Sequence, residues 1–142
     1  MIFLAVTENK FRFAWETKVY LTNLREFNYS KDAHILVFLN TPIKLKEWEQ
    51  LEIDFPEVTF TYFPDKYITN IARAFNYPPI HRFYCLQEYW KQNKWLETTP
   101  VFYTDTDIIF TKNLDFSSFL KDDYNYVSWT GDINRISNYL DI

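Results

Sequence analysis

Apolar runs alternate with amphipathic segments along this chain. Four of the runs are apolar almost throughout and show no polar alternation, at 2–6, 34–40, 58–63 and 100–104. Short continuous runs of this kind, rich in β-branched and aromatic residues, are typical of strands buried on both faces of a sheet. The pattern therefore predicts four buried strands.

Amphipathic helices are predicted between the strands. They are 10–28, with Phe13, Val19, Leu24 and Phe27 along its apolar side; 44–55, started by Pro42; and 80–95, with Phe83, Leu86, Tyr89 and Trp90 along its apolar side. The stretch between 64 and 79 holds three prolines and is predicted to be irregular. This alternation predicts an α/β fold, a Rossmann-like and mostly parallel sheet flanked by helices, in a single domain over 1–142.

Charge and apolar run length exclude some classes of partner. The net charge is −4 and the pI is about 5.1, so the overall charge of the protein does not favour binding to nucleic acid. No apolar run approaches the roughly 18 residues of a transmembrane helix, and the first residues lack the basic start of a signal peptide. We expect a cytoplasmic protein with no transmembrane segment.

Glycine and cysteine are both scarce. The single glycine, Gly131, cannot build a G-x-G-x-x-G turn or a Walker A loop, so both nucleotide-binding motifs are excluded. The single cysteine, Cys85, excludes an intramolecular disulfide and a multi-thiolate zinc site. Any nucleotide must be held by other means.

Two carboxylates follow the fourth predicted strand. The sequence VFYTDTDIIF, 101–110, places Asp105 and Asp107 one residue apart, and IIF, 108–110, is predicted to form a second short strand that fixes the turn. A turn at that point can direct both carboxylates to one cation, and Mg²⁺ and Mn²⁺ prefer oxygen ligands. As an alternative, the two aspartates cap a loop and face water.

Other polar residues follow the remaining strands. Thr7 and Asn9 can offer hydrogen bonds to a nucleotide base, and Asp65 can accept one from a ribose hydroxyl, although each could equally be a loop or cap residue. The carboxyl ends of parallel strands meet at one edge of a sheet. We therefore expect these residues and the Asp105–Asp107 turn to line one cleft, within the roughly 10 to 15 Å span of a bound nucleotide.

The segment 82–116, RFYCLQEYWKQNKWLETTPVFYTDTDIIFTKNLDF, resembles the core of nucleotide-sugar-dependent glycosyltransferases with the GT-A fold. The resemblance implies a hexosyltransferase-like enzyme that uses a UDP- or GDP-sugar with Mn²⁺ or Mg²⁺. It implies that Asp107 binds the metal, and that Asp105 lies near the ribose or the metal. Arg82 would brace the nucleotide or the aspartates, and the end of the first strand, from Val6, would contact the base.

The resemblance leaves the acceptor open, whether glycan, protein or lipid. Family members usually continue well beyond the length of this chain, so the resemblance implies a nucleotide-binding half whose acceptor half is missing after 130. Neither His34 nor His81 follows the aspartates, so neither matches the later metal ligand of the family.

Alternative functions remain. One is a non-catalytic or truncated nucleotide-sugar-binding domain. Another is a phosphatase of the haloacid-dehalogenase type, in which the first aspartate is the nucleophile and the second a general acid and base. In that family the motif usually ends the first strand, whereas here it ends the fourth. A cysteine hydrolase is disfavoured because His81 and Cys85 lie one turn apart in a helix predicted to be packed.

Overall fold

The structure, a computed structural model, describes residues 1–77 and 79–116. Four strands form one sheet in the order β3-β2-β1-β4, and every neighbouring pair is parallel. The strands are β1 (Ile2–Glu8), β2 (Ala33–Leu39), β3 (Thr59–Pro64) and β4 (Val101–Thr104). The predicted α/β class and the four predicted strands are confirmed.

Two central strands explain the continuous apolar runs. β1 and β2 each have neighbours on both sides, and almost all of their residues are buried. Alternate residues of each strand enter different cores: Phe3 and Ala5 pack on one face of the sheet, and Leu4 and Val6 on the other. Burial on both faces leaves no solvent-facing register, so polar alternation is absent.

Helices cover both faces of the sheet. They are α1 (Phe11–Glu26), α2 (Lys46–Asp54), α3 (Ile68–Ala74) and α4 (Ile80–Gln92). Residues of α1 and α2 join the core that contains Phe3, whereas α4 joins the core that contains Leu4. This arrangement fits right-handed crossovers, because the chain moves one way across the sheet from β1 to β3 and the other way to reach β4.

The inward faces of α1 and α4 agree with the prediction only in part. In α1, Val19 is 37% exposed, and the helix buries Ala14, Thr17, Tyr20, Leu21 and Leu24. In α4, Phe83 and Trp90 are exposed, and His81, Cys85 and Tyr89 face the core. The other predicted residues do face inward: Leu24 and Tyr89 are buried, and Phe13, Phe27 and Leu86 pack against the cores. Periodicity alone was right only in part, because both helices carry apolar residues around much of their circumference.

Three further predictions about local structure are wrong. Pro42 does not begin α2, which starts at Lys46 after an extended Leu45. The stretch predicted to be irregular contains the short helix α3. The segment 108–110 is not a strand; Phe110 is instead held by Asn23, whose amide nitrogen donates to its carbonyl at 3.0 Å and whose amide oxygen accepts from its N–H at 2.7 Å.

The acceptor half predicted to be missing after 130 concerns a region outside the described residues. In the part of the chain that the structure describes, no helix is both long enough and apolar enough to cross a membrane.

Candidate functional site

A small pocket lies where β1 and β4 end. The chain leaves β1 towards β2 and β3 on one side and returns to β4 on the other, so a crevice opens between the carboxyl ends of β1 and β4. Ligands of open parallel sheets bind at such a point, where the strand order reverses. The register pairs Ala5 with Thr104, which sets Val6 level with Asp105. The register therefore brings the two predicted strand ends side by side.

The pocket has a volume of about 60 Å³. Its lining comprises three residues of β1, two of α1, two of α4 and the turn after β4: Val6, Thr7, Glu8, Phe13, Glu16, His81, Arg82, Asp105, Thr106 and Asp107. A pocket of this size holds an ion with a few waters, and it is well below the roughly 300 to 1,000 Å³ of typical small-molecule pockets. A larger ligand would have to lie across the mouth of the pocket.

A buried hydrogen bond anchors the strand that carries the aspartates. The hydroxyls of Tyr20 and Thr104 lie 2.8 Å apart, and both residues are buried. Burial raises the pKa of Tyr20 to about 12, so its hydroxyl stays protonated at neutral pH. Thr104 directly precedes Asp105, and the bond therefore ties the start of the aspartate turn to the middle of α1.

Asp105 faces the first turn of α4. The Arg82 guanidinium Nη1 lies 3.0 Å from Asp105 Oδ1, and about 40% of each side chain is exposed. The contact has the distance of an ion pair but not the geometry of a hydrogen bond. Within residues 1–77 and 79–116, the buried Asp105 Oδ1 accordingly has no hydrogen-bond partner. Arg82 thus neutralises Asp105 without satisfying it.

Thr7 supplies a second buried oxygen to the pocket. The residue is 4% exposed, and its Oγ1 has no hydrogen-bond partner among the described residues. A buried hydroxyl without a partner has lost its hydrogen bonds to water and gained none from the protein. Such groups are uncommon in native proteins. Thr7 Oγ1 and Asp105 Oδ1 are therefore two polar atoms of one pocket that a ligand or water could satisfy.

The remaining charges are partly paired around the rim. Glu8 Oε2 lies 2.7 Å from Lys10, and Glu8 Oε1 lies 3.9 Å from His81 Nε2. Glu16 accepts a 2.6 Å hydrogen bond from Arg12, and this bond, with a smaller contribution from Asp107, raises the pKa of Arg12. Four carboxylates thus line the pocket, and three of them, Glu8, Glu16 and Asp105, already lie against the cations Lys10, Arg12 and Arg82.

Asn9 is placed away from the pocket lining and is engaged elsewhere. Its amide nitrogen donates to Thr41 Oγ1 at 3.1 Å and to the Ile43 carbonyl at 2.8 Å, and its amide oxygen accepts from the Leu45 N–H at 3.0 Å. These bonds hold the loop after β2. Asn9 is therefore absent from the pocket lining, and the observed contacts of its side chain are structural.

Asp65 does not line the pocket either, and its separation from β4 lies at the upper end of the expected span of roughly 10 to 15 Å. It follows β3, three strands from β4, which corresponds to roughly 14 Å at about 4.8 Å per strand. Asp65 Oδ1 accepts a 3.2 Å hydrogen bond from the Thr69 N–H in the first turn of α3. Its observed role is to accept a hydrogen bond from the start of α3, two residues before the N-cap Tyr67.

The donor set of the pocket fits a hard divalent ion only in part. Asp105 and Asp107 line the same pocket, as the sequence predicted, and one Asp105 oxygen has no hydrogen-bond partner among the described residues. The described residues contain no group of three or more His, Cys, Asp or Glu side chains arranged for a metal. Two carboxylates with the remaining positions left to water and phosphate is the usual manner of Mg²⁺ binding.

The sequence places Glu8 and Thr106 at the carboxyl edge of the sheet, but it did not assign Phe13, Glu16 or His81 to this pocket. A usable signal existed, because a crossover helix begins at the carboxyl edge of a parallel sheet and so places its first turns beside the strand ends. His81 lies in the first turn of α4, and Phe13 lies in that of α1.

Comparisons of the chain with protein-family models, with curated proteins and with solved structures returned no match.

Proposed function

We propose that the chain binds a nucleoside-diphosphate sugar, a UDP- or GDP-sugar, with Mn²⁺ or Mg²⁺, and that it acts in glycosyl transfer as a GT-A-like domain. One observation carries the proposal: Asp105 and Asp107 share a pocket with the end of β1 at the point where the strand order reverses. The resemblance of 82–116 to the glycosyltransferase core suggests the same function from sequence.

The roles of the residues follow from their chemistry. Asp105 and Asp107 would hold the ion, which would stabilise the charge that develops on the leaving diphosphate. Arg82 would donate charge-assisted hydrogen bonds to that diphosphate. The Thr7 hydroxyl would bond the base or ribose laid across the mouth of the pocket. The acceptor, whether glycan, protein or lipid, and a cytoplasmic location stay predictions.

The test of this function is calorimetric titration of the wild-type chain with UDP and with GDP, with Mn²⁺ or with EDTA. Asp107→Ala should abolish the Mn²⁺-dependent part of the binding, because it removes one of two carboxylate ligands. Asp32→Ala is the matched control, since it removes a carboxylate beside the amino end of β2, at the opposite edge of the sheet. If wild type and Asp107→Ala bind the nucleotide with equal affinity, with and without EDTA, Asp107 does not hold a metal.

The second candidate is a domain that binds a nucleotide sugar without transferring it. The described residues contain no group of three or more His, Cys, Asp or Glu side chains arranged for a metal, and this favours the alternative because the metal would assist transfer. It is distinguished by incubating the chain with Mn²⁺ and radiolabelled UDP- and GDP-sugars. The incubation is repeated with a cell extract that supplies glycan, protein and lipid acceptors: release or transfer of the labelled sugar supports the enzyme, whereas tight binding with the donor intact even in the extract supports the binding domain.

A further inference from the structure

Arg82 and a metal ion would compete for the same oxygen atom. Asp105 Oδ1 is the atom that Arg82 Nη1 approaches at 3.0 Å, and it is also the buried Asp105 oxygen without a hydrogen-bond partner among the described residues. A divalent ion bound to this oxygen would repel a guanidinium at contact distance, although a carboxylate can hold a metal and a hydrogen-bond donor at once. Binding of either cation is therefore expected to weaken the contact of the other with Asp105.

We propose that Arg82 is a positioning residue that exchanges between two anions, Asp105 in the empty site and the diphosphate of the ligand once a metal occupies Asp105. This inference rests on the proposed function and adds a prediction about affinity to it: the protein binds metal and nucleotide together more tightly than it binds either one alone.

The position of Arg82 permits such an exchange. Its side chain is 40% exposed and projects from the first turn of α4, at the rim of the pocket. An ion pair this exposed costs little to break, which is the property that an exchanging contact requires. The guanidinium needs only to turn from Asp105 towards the mouth, where a ligand too large for the pocket would place its phosphates.

The exchange predicts effects of opposite sign on two ligands. Without nucleotide, Arg82 opposes the metal, because the ion must displace the guanidinium from Asp105. With nucleotide, the displaced guanidinium binds phosphate, and that gain assists the metal. By linkage, each ligand then raises the affinity of the other by the same factor. A residue that only supported the fold would weaken both.

The experiment measures Mn²⁺ binding alone, by the loss of the free-ion electron paramagnetic resonance signal, and UDP and GDP binding by calorimetry at saturating Mn²⁺. Arg82→Gln should bind Mn²⁺ alone about two- to fivefold more tightly than wild type, the range expected for release of an exposed ion pair. It should bind the nucleotide about tenfold or more weakly, because charge-assisted hydrogen bonds to phosphate are lost.

Lys91→Gln is the matched control. Lys91 lies on the same helix and forms a similarly exposed pair, 2.8 Å from Glu88, outside the pocket lining. Both affinities of this variant should equal those of wild type. Arg82→Lys keeps a positive charge and should keep Mn²⁺ affinity near the wild-type value while binding nucleotide less well, since an ammonium cannot form the two-pronged contact of a guanidinium.

The outcomes separate this inference from the proposed function. If wild type binds nucleotide with Mn²⁺ but Arg82→Gln shifts both affinities in the same direction, or shifts neither, the exchange is refuted and the function stands. If neither UDP nor GDP binds to wild type or to Lys91→Gln, the proposed function fails. Tighter Mn²⁺ binding by Arg82→Gln would then still support the displacement of Arg82 by metal, and unchanged Mn²⁺ binding would refute it.

Discussion

The buried bond between Tyr20 and Thr104 offers a direct test of how the aspartate turn is held in place. Tyr20 is 0% exposed and Thr104 is 7% exposed, so neither hydroxyl can turn to water when its partner is removed. Tyr20→Phe leaves Thr104 Oγ1 buried without a partner, and Thr104→Val leaves the Tyr20 hydroxyl in the same state. Each should lower the free energy of unfolding by about 1 to 3 kcal/mol, the usual penalty for an orphaned buried polar group.

The double variant should cost less than the sum of the two single variants. Replacing both partners by apolar groups of similar shape removes the unsatisfied atom as well as the bond, so we expect a coupling of about 1 to 2 kcal/mol. Urea denaturation of the four proteins, followed by circular dichroism, gives each free energy of unfolding from the midpoint and slope. Tyr67→Phe, at a ring that is 79% exposed, is the control and should change stability by no more than about 0.5 kcal/mol.

The same cycle reports on the site. Because Thr104 immediately precedes Asp105, the two single variants should also weaken Mn²⁺-dependent nucleotide binding, whereas Tyr67→Phe should not. Additive losses of stability in the double variant would refute the claim that these hydroxyls act as a pair. Wild-type nucleotide affinity in both single variants would refute the claim that the bond positions the turn.

Two further predictions concern ionisable groups outside the pocket. Burial lowers the pKa of His34, whose Nδ1 lies 2.6 Å from the Tyr89 hydroxyl. The unfolded state therefore binds more protons below about pH 6.5, and stability should fall as pH falls from there through the lowered folded-state value. Between pH 5 and 7.5, the midpoint of urea denaturation should change less with pH in His34→Gln than in wild type. An equal change of the midpoint with pH in the two proteins would contradict this. Burial raises the pKa of Cys85 to about 12, so its thiol should react with a disulfide reagent at pH 8 only on unfolding; equally fast labelling of native and urea-unfolded protein would contradict this.

The sequence by itself determined the kind of fold and the place of the aspartates. The apolar runs of β1 and β2 can be satisfied only by a sheet covered on both faces, and the intervening lengths suit helical crossovers. Because the carboxyl ends of parallel strands share an edge, the end of β1 and the Asp105–Asp107 turn had to lie on one side of the molecule. These conclusions depend on pattern and topology, which a linear chain carries.

Only the tertiary structure decided which residues of that edge meet. Strand order is not written in local periodicity: β4 returned to the free side of β1, so Thr7 came to share a pocket with Asp105, while Asp65 was left at the far edge. The amide nitrogen and the amide oxygen of Asn9 both form hydrogen bonds with the loop after β2, so this side chain is engaged in holding the loop. In α1 and α4, apolar residues surround much of each helix, and the side that faces inward was set by the shape of the core it fills. The orientation of α4 placed His81 and Arg82 beside the aspartates. The sequence could not predict that orientation, because it depends on long-range packing that no short stretch of sequence contains.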